Sequence, residues 1–238
     1  MNKKIPNHIV LFPDGNRRWA EKKNWPAIKG HQQGYQKFED FLKWCQKRGV
    51  KILTVFGFST ENWKRSKKEV DYLMKLFENA LSKKEQIEKF QKARVQVRII
   101  GEKEKLSKSL QKVIANIEKA TKNNSDFYLN LAVSYGGRWD IVQAIKKIIS
   151  KKISIKDINE ELIESLLSTA GLPAPDLVIR AGGEKRLSNF VLWQSAYSEL
   201  YFSPKLWPDF GEKDFEDAID DYASRQRRFG GDDNRKVS

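Results

Sequence analysis

Asp14-Gly15-Asn16-Arg17-Arg18 sets one carboxylate, one turn-forming glycine and two guanidinium groups within five residues, directly behind the apolar run His8-Ile9-Val10-Leu11-Phe12. A strand that ends in Asp-Gly-Asn and opens a helix with Arg-Arg has the makings of a phosphate cradle. Glycine lets the backbone turn and approach a ligand, and the unpaired N–H groups at a helix start point at an anion. An aspartate at the strand's carboxyl end can hold a divalent cation against that same anion. No Gly-Lys-Ser/Thr follows and the spacing is not Gly-x-Gly-x-x-Gly, so neither common nucleotide loop is present. Taken alone, Asp-Gly-Asn is explained equally by an ordinary turn.

Other windows carry further chemistry. Phe58-Ser59-Thr60-Glu61-Asn62-Trp63-Lys64-Arg65 brings hydroxyls, an amide, a Trp in an exposed position and cations to the end of a second strand, where Ser59 or Thr60 also suits a helix N-cap. Tyr135-Gly136-Gly137-Arg138 repeats the strand-to-helix glycine pattern, which tight packing explains equally well. In Arg180-Ala181-Gly182-Gly183-Glu184-Lys185-Arg186-Leu187-Ser188, two arginines and a hydroxyl surround a glycine turn. Guanidinium forks bind phosphate oxygens bidentately, so this window suits a diphosphate better than a solvated surface. Glu199 is a carboxylate next to Leu200-Tyr201-Phe202 and there needs a partner or a metal. Arg225-Gln226-Arg227-Arg228-Phe229-Gly230-Gly231 reads as a solvated tail or as a basic arm reaching into a site.

The elements that must position these groups alternate. Strand signals fall at 8–12, 51–58, 95–100, 127–133, 176–180 and 199–202. Helical periodicity falls between them: Gly30 to Lys47 with Phe38, Phe41, Leu42 and Cys45 on one face, a long helix carrying Val70 to Leu81, then 104–122, 137–150, 158–168 and 213–225. Near-continuous apolar strands separated by helices predict an α/β fold, a single domain with a mostly parallel central sheet flanked by helices. Ligands of such sheets bind beyond the carboxyl ends of the strands, which places Asp14, Ser59, Tyr135 and Arg180 on one rim. No linker or repeat divides the chain, so one domain spans 1–238, with 1–6 and 232–238 as flexible ends. Phe56, Phe58, Val70, Met74 and Phe77 could line a hydrocarbon pocket, and core packing accounts for the same five.

At 238 residues the chain is within reach of one α/β domain, which often runs to about 250. Lys plus Arg (45) exceeds Asp plus Glu (31), a formal charge of +14 that attracts nucleic acid, anionic bilayers or phosphorylated substrates. A lysine-rich solvated surface explains much of that excess. One cysteine excludes an intrachain disulfide, and two histidines leave no Cys/His zinc site. A bound metal would be a hard cation on carboxylates, which suggests magnesium. No signal-peptide core and no span of roughly 20 apolar residues is found, predicting a cytoplasmic protein able at most to touch the inner membrane face.

Taken together, these windows resemble the cis-prenyltransferase (undecaprenyl diphosphate synthase) family. The resemblance runs from His8 to Gly231. It rests on Asp14-Gly15-Asn16-x-Arg18-Trp19-Ala20, Gly30-His31, Phe58-Ser59-x-Glu61-Asn62-Trp63-x-Arg65, Asn130 through Asp140, the Asp176–Phe190 segment and Glu199-Leu200-Tyr201-Phe202. It implies Z-specific elongation of an allylic prenyl diphosphate, such as farnesyl diphosphate, by isopentenyl diphosphate. The implied product is a polyprenyl diphosphate such as undecaprenyl diphosphate, for a cell-envelope carrier lipid. It further implies that Asp14 holds Mg2+ on the allylic diphosphate while Gly15, Asn16, Arg17 and Arg18, beside Trp19, cradle it. Arg180, Arg186 and Ser188, with Leu187 between, would bind isopentenyl diphosphate, and Glu199 would complete the metal environment. Asn62 with Asp14 would assist proton removal, and His31, Ser59, Thr60, Glu61, Trp63 and Arg65 would position the substrates. Arg228 and Gly230 would reach the neighbouring subunit's site in a homodimer.

This chain departs from the family pattern at a few positions. Ala27 stands where an arginine for the allylic diphosphate is usual, with Arg17 or Lys29 available to replace it; Pro13 stands for a common Met and Lys185 for a frequent His. A non-catalytic family subunit would lack Asp14, Asn62 or Arg180, and all three are present. A nucleic-acid-binding α/β domain would use the basic surplus, but here the cations converge with carboxylates that repel a phosphate backbone, so no nucleic-acid partner is expected.

Overall fold

The computed structural model describes residues 4–227. Six strands form one wholly parallel sheet in the order β3-β4-β2-β1-β5-β6: β1 (His8–Phe12), β2 (Ile52–Ser59), β3 (Val95–Ile100), β4 (Phe127–Tyr135), β5 (Leu177–Arg180) and β6 (Glu199–Phe202). The helices are α1 (Asn16–Glu21), α2 (Ala27–Arg48), α3 (Lys67–Ser82), α4 (Lys84–Lys92), α5 (Lys108–Thr121), α6 (Gly137–Ser150), α7 (Glu160–Leu166) and α8 (Glu212–Ser224).

Successive strand residues point to opposite faces. Ile9, Leu11, Leu53, Val55, Val97 and Leu129 therefore enter the main core with Phe41, Leu73, Ile114 and Phe215 from the helices. Val10, Phe12, Ala132 and Val178 enter a second core beneath Phe190 and Val191. Both faces being covered is what allows β1, β2 and β5 to be largely apolar along their length.

The structure departs from the sequence reading in a few places. α2 starts at Ala27 rather than Gly30. α4 was not expected; Lys83, extended at φ −63 and ψ 123, breaks the helix after Ser82, and Phe90 buries the new helix's inner face. Ile5 packs on the main core and Pro6 is buried, so residues 1–6 are not wholly a flexible end. Among the described residues no helix is long and apolar enough to cross a membrane.

A polar line crosses the second face of the sheet. Asn130 Nδ2 donates to Thr54 Oγ1 (3.0 Å), which lies 2.8 Å from His8 Nε2, and His8 Nδ1 lies 2.8 Å from the Pro173 carbonyl. A carbonyl only accepts, so Nδ1 carries the proton and Nε2 accepts from the threonine hydroxyl. Burial lowers the His8 pKa to about 4, against the raising effect of the Pro173 hydrogen bond and the Asp176 charge. Because the folded value lies below the unfolded 6.5, the unfolded state binds the extra proton between pH 6.5 and 4. Stability from neutral His8 is complete above pH 6.5 and is lost as pH falls toward 4, by about 3 kcal/mol at most. Urea unfolding measured from pH 7 to 4 should show this loss, and His8→Gln should flatten it; an unchanged slope in the variant would show that other groups carry the acid sensitivity.

Candidate active site

β1 and β5 are neighbours with Phe12 level with Arg180, so the residues that follow β1 meet the last residue of β5. Arg180 Nη2 donates to Asp14 Oδ2 at 2.7 Å. Its Nη1 donates to Ser188 Oγ at 2.8 Å and to the Arg186 carbonyl, and its guanidinium lies 5.0 Å from the Phe12 ring centroid. A guanidinium only 5% exposed is thus held by a carboxylate, a hydroxyl and a carbonyl. Arg18 lies 3.5 Å from Asp14 Oδ1 and 3.2 Å from Glu184 Oε1, and Arg186 donates to Glu184 Oε2 at 2.6 Å. Cations and carboxylates therefore alternate from Arg180 through Asp14, Arg18 and Glu184 to Arg186.

Two glycine features seat the Asp14 loop. Gly15 takes φ 103 as it enters α1, a left-handed conformation that glycine adopts without strain. On α2, a Cβ at Gly34 would come within 2.3 Å of Asn16 Oδ1, and one at Gly30 within 1.9 Å of the Asn16 carbonyl oxygen. The absence of side chains on one edge of α2 thus lets α1 lie against it. Asn16 Nδ2 donates to the Pro13 carbonyl at 3.2 Å, while its buried Oδ1 has no partner among the described residues.

Beyond β2, Ser59 and Asn62 form a reciprocal cap: Asn62 N–H donates to Ser59 Oγ (3.2 Å) and Ser59 N–H to Asn62 Oδ1 (3.1 Å). The capping reading of this window is therefore correct, and it has a chemical consequence. The Asn62 carbonyl oxygen is committed, so what it offers a ligand is its NH2. Asn189 ties three loops together. It donates to Glu61 Oε1 (2.8 Å), accepts from Arg138 N–H (2.9 Å) at its side chain, and accepts from Gly137 N–H (2.6 Å) at its backbone. Burial disfavours the Glu61 carboxylate, but hydrogen bonds from Asn189, its own backbone, Ser59 and Thr60 prevail and lower its pKa.

A further cluster surrounds the buried carboxylate of Glu69 on α3. Arg65 lies 3.1 Å from it, His31 3.2 Å and Arg17 3.6 Å. Burial lowers the His31 pKa; Glu69 opposes the shift and the charges of Arg65 and Arg17 add to it. The sequence reading missed Glu69, which stands in Ser66-Lys67-Lys68-Glu69, a segment with the form of a capping box. Ser66 does cap α3, accepting from the Glu69 N–H at 3.4 Å, but the carboxylate turns to the cations.

These groups border a cavity of about 1490 Å3. Of the predicted residues, Asp14, Gly15, Asn16, Arg17, Arg18, His31, Ser59, Glu61, Asn62, Arg65, Arg180 and Ser188 line it. Behind them it is walled by Phe38 and Leu42 of α2, Leu73, Leu76 and Phe77 of α3, and Val55, Leu129 and Leu131 of the sheet. Of the five apolar candidates for a hydrocarbon lining, Phe56 and Phe77 reach the cavity; Phe58 and Val70 are core, and Met74 packs on it.

Several residues expected to meet substrate do not line the cavity. Trp19 is buried beside Ala20 and Leu206, and its indole donates to Asp209 at 2.6 Å. Trp63 is half-buried rather than exposed; it packs edge-on against Phe58 and donates to Ser134 Oγ at 2.9 Å. Thr60 packs against Gly136, Leu187 against the second core, and Arg186 is an exposed side chain held by Glu184; none of the three lines the cavity.

Glu199 does not join Asp14 within one chain. It pairs with Leu177 at the amino end of β5, three residues or about 10 Å below the level of Arg180, and Arg225 holds it at 2.8 Å. Of the two residues available to replace an arginine at 27, Arg17 lines the cavity and Lys29 does not. Arg228 and Gly230 lie outside the described residues.

A parallel α/β domain with convergent guanidinium groups, a partly exposed aspartate between them and a long apolar cavity behind is built as an enzyme for a phosphorylated hydrocarbon. Comparison with known proteins agrees. The family model described as "Putative undecaprenyl diphosphate synthase" matches residues 12–230. An isoprenyl transferase of Thermotoga maritima is 47% identical over 233 residues, covering 96% of this chain and 98% of its own length. A farnesyl-diphosphate-specific ditrans,polycis-undecaprenyl-diphosphate synthase of Pasteurella multocida is 46% identical, covering 95% of each. The solved structure of lavandulyl diphosphate synthase from Lavandula x intermedia, in complex with dimethylallyl diphosphate, superposes with a TM-score of 0.90 at 40% identity, covering 95% of this chain and 98% of its own. The chain belongs to the undecaprenyl diphosphate synthase family of prenyltransferases.

The α1–α2 contact can be tested directly. Gly34→Ala should force Asn16 aside and lower stability by about 1–3 kcal/mol, a fall in Tm of roughly 2–12 °C for a chain of this size. Adding Asn16→Ala should recover much of the loss in a thermal melt. No recovery would place the strain elsewhere.

Proposed function

We propose that this chain condenses isopentenyl diphosphate onto an allylic prenyl diphosphate, repeatedly and with Z geometry, to give a polyprenyl diphosphate such as undecaprenyl diphosphate. The observation that carries this reading is the Asp14–Arg180 pair at the mouth of a long apolar cavity. Arg180 and Ser188 form one anion centre, to which Arg186 contributes its carbonyl through Arg180. Arg17 and Arg18 on α1 form the other. The diphosphate ends would sit at these centres while the allylic hydrocarbon runs down between α2, α3 and the sheet.

The residues present fit magnesium. Among the described residues no three His, Cys, Asp or Glu side chains gather as a metal cluster. Magnesium, however, is commonly held by one or two carboxylates together with substrate phosphates. Of the carboxylates lining the cavity, Asp14, about a third exposed, is the one set between Arg18 and Arg180. When bound there, the ion supplies charge neutralisation for the departing diphosphate. The arginines act to the same end, as fixed cations where negative charge develops.

The carbon–oxygen bond of the allylic diphosphate breaks, the isopentenyl double bond closes on the allylic carbon, and one proton leaves the isopentenyl unit. Asn62 is an amide with no basicity; through its NH2 it orients an oxygen ligand, while Asp14 is the carboxylate at hand. Glu69 keeps Arg17, His31 and Arg65 pointed at the cavity before substrate arrives. Water is kept from the hydrocarbon by the apolar walls.

A homodimer is part of this proposal. Val142, Ile145 and Ile149 are 47%, 45% and 71% exposed and recur along one stripe of α6, an apolar face suited to a second copy. Arg227 is held to Asp176, at the amino end of β5, so the chain leaves the described region at the opposite end of the sheet from Asp14. That supports a role for Arg228 and Gly230 in a neighbouring site rather than their own.

Incubation with labelled isopentenyl diphosphate, farnesyl diphosphate and magnesium should yield elongated products on chromatography after dephosphorylation. Failure to elongate any allylic primer would reject the proposal. Asp14→Ala should abolish elongation while circular dichroism shows the fold retained; a normal rate would remove Asp14 from the metal site. Arg17→Ala should raise KM for the allylic diphosphate roughly 10–150-fold, as expected for about 1.5–3 kcal/mol of charge-assisted hydrogen bonding. An unchanged KM would show that Arg17 does not replace the arginine missing at position 27.

A further inference from the structure

The cavity has a second end. It begins at Asp14 and Arg180, on the carboxyl ends of β1 and β5, and reaches Val95 and Leu129, near the amino ends of β3 and β4. It therefore crosses the sheet diagonally, over about 25 Å by strand rise and spacing. At the far end it is lined by Lys43 of α2, Lys89 and Lys92 of α4, and Ala93, all exposed. Residues both exposed and lining the cavity make this end a mouth rather than a floor.

The rim of that mouth is basic. Residues 83–94 and 118–126 together hold seven Lys and Arg against four Asp and Glu. The two segments are tied together, since Gln91 donates to the Ala120 carbonyl (3.3 Å) and Asn124 to those of Phe90 (3.3 Å) and Val95 (2.8 Å). Three of the four acids are already taken: Glu88 by Lys84 at 3.8 Å, Asp126 by Arg94 at 2.9 Å, and Glu118 by Lys103 at 2.8 Å. Lys103 lies outside both segments, so the cations of the rim keep their excess. A hydrocarbon emerging here into water would expose apolar surface at about 0.8 kcal/mol for each CH2.

We infer that the α4 mouth docks on an anionic phospholipid surface, its lysine rim on the headgroups, so that a lengthening prenyl tail passes from the cavity into the bilayer without crossing water. This inference rests on the proposed chain elongation for its purpose. The docking itself is measurable without substrate. Juxtaposed lysines are attracted to anionic leaflets by about 1 kcal/mol each, and salt screens the attraction.

The test is co-sedimentation of the full chain with phosphatidylglycerol-containing vesicles and with pure phosphatidylcholine vesicles. Binding is expected to the first only, and to fall in high salt. The triple variant Lys84→Glu, Lys119→Glu, Lys122→Glu changes three exposed residues, none of which lines the cavity. It should reduce vesicle partitioning on the order of 100-fold. Its elongation of a short primer in detergent should stay at the parent rate. A control triple at the end of α6 and just beyond it, Lys151→Glu, Lys152→Glu, Lys156→Glu, should bind as the parent does. No binding, equal binding to both vesicle types, or equal loss in both triples would overturn the inference. Vesicle binding without elongation would instead reject the proposed function and leave the docking surface standing.

Discussion

The ion pair between Asp14 and Arg180 is the constraint on which the site is built. Arg180 is nearly inaccessible, and a guanidinium there is tolerable only if its donors are met. Asp14, Ser188 and the Arg186 carbonyl meet its two terminal nitrogens, leaving Nε without a partner among the described residues. Those three partners come from two loops, one after β1 and one after β5. The pair therefore fixes the distance between two turns that belong to separate parts of the chain, and it does so only because β5 lies next to β1 in the sheet. Sheet order and chemistry are one fact here. Had β5 paired elsewhere, both groups would be buried or solvated alone, and a lone buried charge is strongly destabilising.

The sheet itself was readable from the sequence because its strands are short runs rich in apolar residues, bounded by glycine, proline and charge. Val95–Ile100 and Glu199–Phe202 appear with the bounds that pattern suggests. α4 was not readable, since Lys84-Glu85-Gln86-Ile87-Glu88-Lys89-Phe90 looks like solvated chain until Phe90 is seen to be buried. Trp19 and Trp63 show the limit of motif reasoning. Each stands beside ligand-facing residues, yet one indole donates inward to Asp209 and the other to Ser134. Glu199 is a different case, since within one chain it is set apart from Asp14 by the sheet itself. A carboxylate that begins a strand parallel to β5 must lie at the amino end of the sheet, away from the rim, and that follows from topology without coordinates. Asn189 was hidden for the opposite reason, because its partners Glu61 and Arg138 are distant in sequence, as are Arg17 and His31 from Glu69.

The alternation of charge explains how the site can exist without ligand. Arginines gathered for two diphosphates would repel one another, and the carboxylates of Asp14, Glu184 and Glu69 stand among them at 2.6–3.6 Å. A diphosphate arriving at Arg17 or Arg18 therefore does not bind bare cations; it competes with carboxylates for guanidinium donors already oriented. That competition lowers affinity but removes the entropy of ordering long side chains, which would otherwise oppose binding. His31 takes part in this balance mainly as a neutral donor or acceptor, since burial lowers its pKa. The same logic separates the two ends of the cavity. At the catalytic end, each cation named in the site is tied to a carboxylate and held in place. At the α4 mouth, seven basic residues stand against four acids. Such a surplus is suited to meeting a surface, not to holding a reactant still.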